Sequence, residues 1–324
     1  MSERPRAVFF GSPDFAVPFL DVVAAETDLR AVVSQPDRPA GRGKQLHEPP
    51  VKVAARRLGI TLLQPEKIRT PDFEAALRAH APEIFVVVAY GRILPPNLLA
   101  MPTLGPWNVH GSLLPGLRGA APIQWAIIRG QARTGVAVMR MEAGLDTGPV
   151  AAVAETPIAD DDTAGSLSER LSRLGAQLLG QVLPRIVAGA ITLAAQDDRA
   201  ATLAPPLVKE DGRLDFTQPA RAVSARARGV DPWPGATAML DGEPIKLFRP
   251  RVVGSADTGG VTTDFSDASA GPPGRVLGAG TDGLIVACGD GAVAFGELQM
   301  PGRKRLPAAV VLNGRPIGAG VVLG

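Results

Sequence analysis

The 324 residues contain a single cysteine, Cys288, so no disulfide can form within the chain. It sits in the alternating run of residues 284–288, where a small buried thiol is expected. Charge of one sign is also missing. Thirty-four Lys and Arg face 32 Asp and Glu, a formal net charge of +2, which excludes a whole-chain attraction to polyanions and leaves only a local site. No run of about 18 uninterrupted apolar residues exists to span a bilayer. The opening residues MSERPR lack the apolar region and small-residue cleavage site of a signal peptide, so a reducing, cytoplasmic setting is expected. Two nucleotide fingerprints are absent as well. Gly11-Ser12-Pro13 is not followed by G-x-G-x-x-G spacing, and Gly41-Arg42-Gly43-Lys44 does not have the spacing of a P-loop. There is no internal repeat.

What is present is ample apolar material, 45% of the residues, on a chain long enough for two domains. The first half alternates short apolar runs with helix-like segments: strands at 7–10, 31–34, 60–63, 84–89, 107–109 and 134–141, and helices at 14–25, 51–58 and 72–80. Near-continuous apolar strands separated by helices predict a mostly parallel sheet covered on both faces, a Rossmann-like α/β domain with function at the carboxyl ends of its strands. Leu167, Leu171, Leu174, Leu178, Leu179, Val182 and Ile186 recur at helical spacing and predict one long helix over 163–188. The first domain is expected to cover residues 1–189, with a linker at 190–206.

From 207 to 324 the pattern changes to short apolar runs at 236–240, 244–248, 274–277, 284–288, 292–295 and 321–323. The pairs Asp241-Gly242, Asp282-Gly283 and Asp290-Gly291 favour hairpin turns. These features predict a small antiparallel β-barrel, interrupted by a loop at 255–273 rich in Gly, Asp, Thr, Ser and Ala.

Asn108 and His110 stand two residues apart at the end of a predicted strand, so their side chains share a face. With Asp146 downstream they provide an amide donor for an oxyanion, an imidazole to move a proton, and a carboxylate to orient the ring and tune its charge. Such a set suits acyl or formyl transfer without a covalent enzyme intermediate. An α-amino acceptor, with a reference pKa of about 7.7 to 8.0, needs no strong base before it attacks. Taken singly, each of the three residues has a structural explanation in a turn. Their shared occurrence points to catalysis.

The strings FFGSPDFAVPFL (9–20), SQPDRPAGRGKQLHEPPVK (34–52), VVVAYGRILP (86–95), NVHGSLLPGLRGAAPIQWAI (108–127), GLDTGPV (144–150) and DPWPGA (231–236) together resemble the methionyl-tRNA formyltransferase family. The resemblance is dense from residue 7 to 150 and thins to islands beyond. NVHGSLLP with GLDTG is shared by the wider group of 10-formyltetrahydrofolate enzymes and leaves the acceptor open: a small amine, water or charged tRNA. The QPDRPAGRGK segment favours tRNA. The resemblance implies a Rossmann-like catalytic domain and a C-terminal barrel similar to OB folds that helps hold tRNA. It assigns catalysis to Asn108, His110 and Asp146, with 10-formyltetrahydrofolate as formyl donor and no metal. Folate contacts fall on Ser112, Leu113, Leu114 and Pro115, and on the backbone of Val88, Ala89, Tyr90 and Gly91.

Independently of that resemblance, residues 38–57 hold Arg38, Arg42, Lys44, Lys52, Arg56 and Arg57 against one acid, Glu48, a local cationic patch that phosphates could use. Candidate tRNA contacts are therefore Arg38, Arg42 and Lys44, joined by Arg303, Lys304 and Arg305 on the barrel. The partner implied is initiator methionyl-tRNA, bound by a monomer. The ending NGRPIGAGVVLG departs from the aromatic-containing segment of many relatives.

Overall fold

The structure is a computed structural model that describes residues 4–40, 45–253, 271–280 and 283–324. Most of the loop expected at 255–273, and Asp282 of one expected turn, lie outside the described residues. The chain forms two compact units. The first comprises Met1–Pro122, Thr134–Thr156 and Ser168–Pro205, the second Ile123–Arg133, Pro157–Leu167 and Pro206–Gly324.

From the N-terminus the elements are β1 (Arg6–Gly11), α1 (Val17–Glu26), β2 (Asp28–Val33), β3 (Arg38–Ala40), β4 (Gln45–His47), α2 (Pro50–Arg57), β5 (Thr61–Leu63), α3 (Pro71–Arg78), β6 (Ile84–Val88), α4 (Pro96–Leu99) and β7 (Pro106–His110). They continue as β8 (Arg118–Gly119), α5 (Pro122–Ile128), β9 (Arg133–Arg140), β10 (Val150–Pro157), α6 (Ala164–Val187) and β11 (Leu203–Ala204). The main sheet has the order β10-β9-β7-β6-β1-β2-β5. Its pairs β1 with β2, β1 with β6, β2 with β5 and β6 with β7 are parallel, and β7 runs antiparallel to β9. The Rossmann-like expectation is met.

Local chemistry explains these elements. All five residues of β6 are buried, as are the last five of β1, the mark of strands covered on both faces. Proline opens α2, α3 and α4, where its missing N–H has no partner to lose. Thr70 caps α3, its hydroxyl accepting from the Phe73 amide at 3.3 Å. The chain moves outward from β1 through β2 and β5, then crosses back to β6 and β7 on the other side of β1. Strand order reverses beside β1, and ligand crevices open at the carboxyl ends there. At that end of β1 a Cβ on Gly11 would stand 2.7 Å from the Phe9 ring and 3.0 Å from the Val88 carbonyl oxygen, so only glycine fits.

Several elements go beyond the expected set, among them β3, β4 and β10. Strands β3 and β4 pair antiparallel, Arg38 with His47 and Ala40 with Gln45, in a segment to which the apolar pattern assigns no strand. β10 alternates between half-buried and exposed over most of its length, as suits the last strand in the sheet order, and shows no apolar period. Residues 190–206 make defined contacts: Ala194 bridges Val150, and β11 pairs parallel with β8.

In the second unit α7 (Ala220–Gly229) precedes β12 (Ala236–Leu240), β13 (Glu243–Val253), β14 (Val276–Gly280), β15 (Gly283–Ala287), β16 (Ala292–Gln299), β17 (Leu306–Pro307) and α8 (Ala308–Gly314). The sheet order is β12-β13-β16-β15-β14, with β17 beside β16. Asp241 and Gly242 both have positive φ, 51° and 80°, the two-residue turn that the sequence pair favours. β13 extends past Phe248, the end of the expected run at 244–248, and includes Pro250. Only β13 residues 243–247 pair with β12, so Pro250 lies where β16 is the sole neighbour among the described residues and its lack of an N–H is tolerated.

The last residues close the barrel. The Met239 amide donates to the Gly324 carbonyl at 2.7 Å and the Gly324 amide to the Met239 carbonyl at 3.0 Å, while the Val276 amide donates to Val321 at 2.7 Å and the Leu323 amide to Gly274 at 2.8 Å. Residues 321–324 thus join β14 to β12, and the C-terminal barrel is confirmed.

Candidate active site

Strand β7 carries Asn108 and His110 to the carboxyl end of the sheet, next to β6 at the switch point. Asp146 reaches them from the connection between β9 and β10, in a left-handed conformation with φ of 52°. Its Oδ1 accepts from Asn108 Nδ2 at 3.4 Å, and its Oδ2 accepts from the Gly119 amide at 2.9 Å and lies 3.7 Å from His110 Nδ1. The three residues singled out in the sequence therefore meet around one carboxylate. His110 Nε2 stands 2.9 Å from the Leu117 carbonyl oxygen. A carbonyl only accepts, so Nε2 carries a proton and Nδ1 is the nitrogen turned to Asp146. The imidazole is 6% exposed and the Asp146 side chain 15%, so both are largely covered but not sealed.

A supporting set was given no role by the sequence. Gln196 Nε2 donates to the backbone carbonyls of Asp146 at 2.8 Å and Gly148 at 2.7 Å, and its Oε1 accepts from Arg118 Nε and Nη2 at 3.1 and 2.9 Å. Arg118 is anchored in turn on Asp198 Oδ1 at 2.8 Å. Leu117, also left-handed with φ of 60°, gives its carbonyl to His110 and its amide to the Thr202 hydroxyl at 2.9 Å. Each left-handed non-glycine residue costs about 1–3 kcal/mol and persists where its surroundings over-determine it. Gly119 has φ of 121°, and a Cβ there would lie 2.7 Å from the Ala204 carbonyl oxygen, so the amide that serves Asp146 requires glycine. Of this set only Leu117, Arg118 and Gly119 fall within a string that carries the resemblance, NVHGSLLPGLRGAAPIQWAI at 108–127.

Comparison with known proteins decides the family. Residues 6–183 match the family described as Formyl transferase, and residues 206–316 match Formyl transferase, C-terminal domain. The methionyl-tRNA formyltransferase of Sorangium cellulosum is 46% identical over 319 residues, covering 98% of this chain and 99% of that protein. That of Myxococcus xanthus is 46% identical over 317 residues, with 98% and 97% covered. The chain belongs to the methionyl-tRNA formyltransferase family. The fold is shared with HypX from Aquifex aeolicus, solved in complex with tetrahydrofolic acid, at a TM-score of 0.63 and 17% identity over 98% of this chain and 48% of that one.

As a formyltransferase, the chain has its remaining candidates placed as follows. Ala89 and Gly91, with φ of 48° and 80°, turn exposed backbone outward just past β6. Tyr90 between them points inward, packs edge-on to Phe10 with centroids 5.5 Å apart, and burial pushes its hydroxyl up to about 12. Its carbonyl accepts from Gln35 Nε2 at 3.0 Å. The Ser112 hydroxyl donates to the Gly116 carbonyl at 2.6 Å, leaving half-buried Leu113, Leu114 and Pro115 as an apolar wall.

The cationic candidates differ in availability. Arg38 is exposed, with Nη2 3.3 Å from Gln35 Oε1, and Arg42 and Lys44 lie outside the described residues. Helix α2 is less positive than its sequence suggests, because Arg57 pairs with Asp21 at 2.5 Å, Arg56 with Glu48 at 2.8 Å and Lys52 with Asp37 at 2.6 Å. On the barrel Arg303 and Lys304 are exposed. Arg305 is committed internally: it pairs with Asp231 at 2.9 Å and with Glu297, and lies 4.0 Å over the Phe248 ring. Among the described residues no cluster of His, Cys, Asp and Glu could hold a metal, and no helix is long and apolar enough to cross a membrane.

Proposed function

We propose that this chain transfers the formyl group of 10-formyltetrahydrofolate to the α-amino group of methionine on initiator tRNA, as a monomeric cytoplasmic enzyme of translation initiation. The observation that carries the chemistry is the meeting of Asn108, His110 and Asp146 at the carboxyl end of β7. The exposed backbone at Ala89 and Gly91 and the apolar residues 113–115 suit the flat, partly apolar ring system of a folate. That donor supplies an activated formyl group and leaves as an amine.

Asn108 has two amide hydrogens. One is directed at Asp146, and the other stabilises the negative charge that develops on the formyl oxygen as the methionine nitrogen attacks. The neutral methionine amine attacks and becomes cationic as its bond to the formyl carbon forms; His110 gives a proton from Nδ1 to the departing nitrogen and recovers one from this new ammonium, so no proton is gained or lost overall. Asp146, fixed by the Gly119 amide and by Gln196, orients the ring and offsets its charge while both protons move. Arg38, Arg42 and Lys44, with Arg303 and Lys304, attract tRNA phosphates.

The test is an acceptor panel with labelled donor: charged initiator tRNA, free methionine, an amino-sugar nucleotide and glycinamide ribonucleotide. Efficient label transfer to the charged tRNA alone is expected. A small amine formylated at least as efficiently would overturn the assignment of acceptor.

A further inference from the structure

The β3–β4 hairpin is flanked by two carboxylates, Asp37 just before β3 and Glu48 just after β4, and one ammonium holds both. Lys52 Nζ, on α2, lies 2.6 Å from Asp37 Oδ2 and 3.1 Å from Glu48 Oε1. The Lys52 side chain is 13% exposed, against 26% for Asp37 and 38% for Glu48. Asp37 Oδ1 also accepts from Gln64 Nε2 at 2.8 Å, and that nitrogen donates to the Gln35 carbonyl at 2.9 Å. Gln35 continues the chain of contacts to the turn after β6: its Nε2 donates to the Tyr90 carbonyl at 3.0 Å, and its Oε1 accepts from Arg92 Nε at 3.2 Å. Both ends of the hairpin are thus tied to α2, and the β3 end is tied in addition to the turn after β6 through the Tyr90 carbonyl and Arg92.

We propose that Lys52 is a positioning residue for the acceptor substrate, clamping Asp37 and Glu48 so that β3 and β4, with Arg38, are held in place for tRNA while Lys52 itself touches no phosphate. The role depends on the tRNA substrate proposed above. A phosphate contact is disfavoured because two carboxylates already offset the ammonium and the side chain is largely covered. An ammonium with three donors is suited to bridging two acceptors at once. The pairing also acts on the groups themselves: the Asp37 hydrogen bond holds the Lys52 ammonium above its ordinary range, and Lys52 holds the Asp37 carboxyl below its own. Fixing the hairpin before encounter removes an ordering cost from binding.

Asp37→Asn separates the two roles by sign. If Lys52 met tRNA directly, removing an anion beside it would strengthen tRNA binding; if Lys52 is a clamp, the same change weakens it. Steady-state formylation would be followed with methionyl-tRNA varied at saturating 10-formyltetrahydrofolate, and then the reverse. Asp37→Asn and Lys52→Met are each expected to raise the KM for methionyl-tRNA by about three- to tenfold, in line with one partly buried ion pair. The kcat and the KM for the folate should stay within about twofold of wild type, and the double variant should be no worse than the poorer single, as for residues acting as one unit. Lys52→Arg should keep most of the tRNA affinity. An unchanged or lowered tRNA KM in Asp37→Asn overturns the clamp, as does an equal rise in the folate KM, which would mark a general loss of structure. Failure of the wild-type protein itself to formylate methionyl-tRNA would refute the substrate, and the clamp with it.

Discussion

Gln196→Ala removes a side chain that meets none of the side chains of Asn108, His110 and Asp146 yet holds the backbone that carries the Asp146 carboxylate. The substitution deletes hydrogen bonds to the carbonyls of Asp146 and Gly148, at 2.8 and 2.7 Å, and an acceptor for Arg118. Arg118 keeps its ion pair with Asp198, so the loss is dominated by the two carbonyl bonds. At about 1 kcal/mol each, these amount to about 2 kcal/mol, a melting shift of roughly 4–8 °C for the unit concerned. The catalytic cost should be larger than that suggests. Asp146 sits at φ of 52°, a conformation it leaves readily once its carbonyl is free, and a displacement of about 1 Å at a reacting centre can cost about 10²-fold. Single-turnover formylation at saturating donor and acceptor, well below the melting temperature, should show a rate reduced by about 10- to 100-fold with folate affinity retained. A rate within twofold of wild type, in a variant shown to melt lower, would refute the idea that Gln196 sets the position of Asp146.

Asp146→Asn keeps the size of the side chain but removes its charge and one of its two acceptors for the Asn108 amide and the Gly119 N–H, and should lower the single-turnover rate by about 10²-fold with a melting temperature lower by about 2–4 °C per kcal/mol lost; an unchanged rate would remove the carboxylate from the mechanism. Deleting residues 321–324 removes the four backbone hydrogen bonds that join β14 to β12, about 4 kcal/mol at about 1 kcal/mol each. The second unit should then melt earlier by calorimetry while the first is unaffected. Burial pushes the Cys288 thiol up to about 12, so the unfolded chain releases this proton from about pH 8.5 upward while the folded chain retains it. Stability should fall as pH rises from about 8.5 towards 12, and Cys288→Ala should flatten that part of the denaturation profile.

Much of the first unit was legible because burial on both sheet faces writes itself into the sequence as apolar runs: β6 is IFVVV and wholly buried. The β3–β4 hairpin was not, since strands of three residues interrupted by Pro39 show no period. Asn108 and His110 were found because neighbours in one strand keep their spacing in the fold. Gln196 was missed because it meets the Asp146 carbonyl across 50 residues, from a polar segment with no apolar pattern. Cation counting had a similar limit. Arg305 looks like its neighbours in the sequence, yet Asp231, 74 residues earlier, and Glu297 occupy its guanidinium. Left-handed conformations at Asp146 and Leu117 likewise leave no trace, because both are imposed by contacts that form only on folding.

The most direct test of the central claim is rapid-quench single turnover with labelled 10-formyltetrahydrofolate and methionyl-tRNA, comparing wild type with His110→Ala. The expected result is label on the α-amine of the esterified methionine, at a rate about 10²- to 10⁴-fold lower in the variant, with folate affinity unchanged. Label released only as free formate, or equal rates in the two proteins, would contradict it.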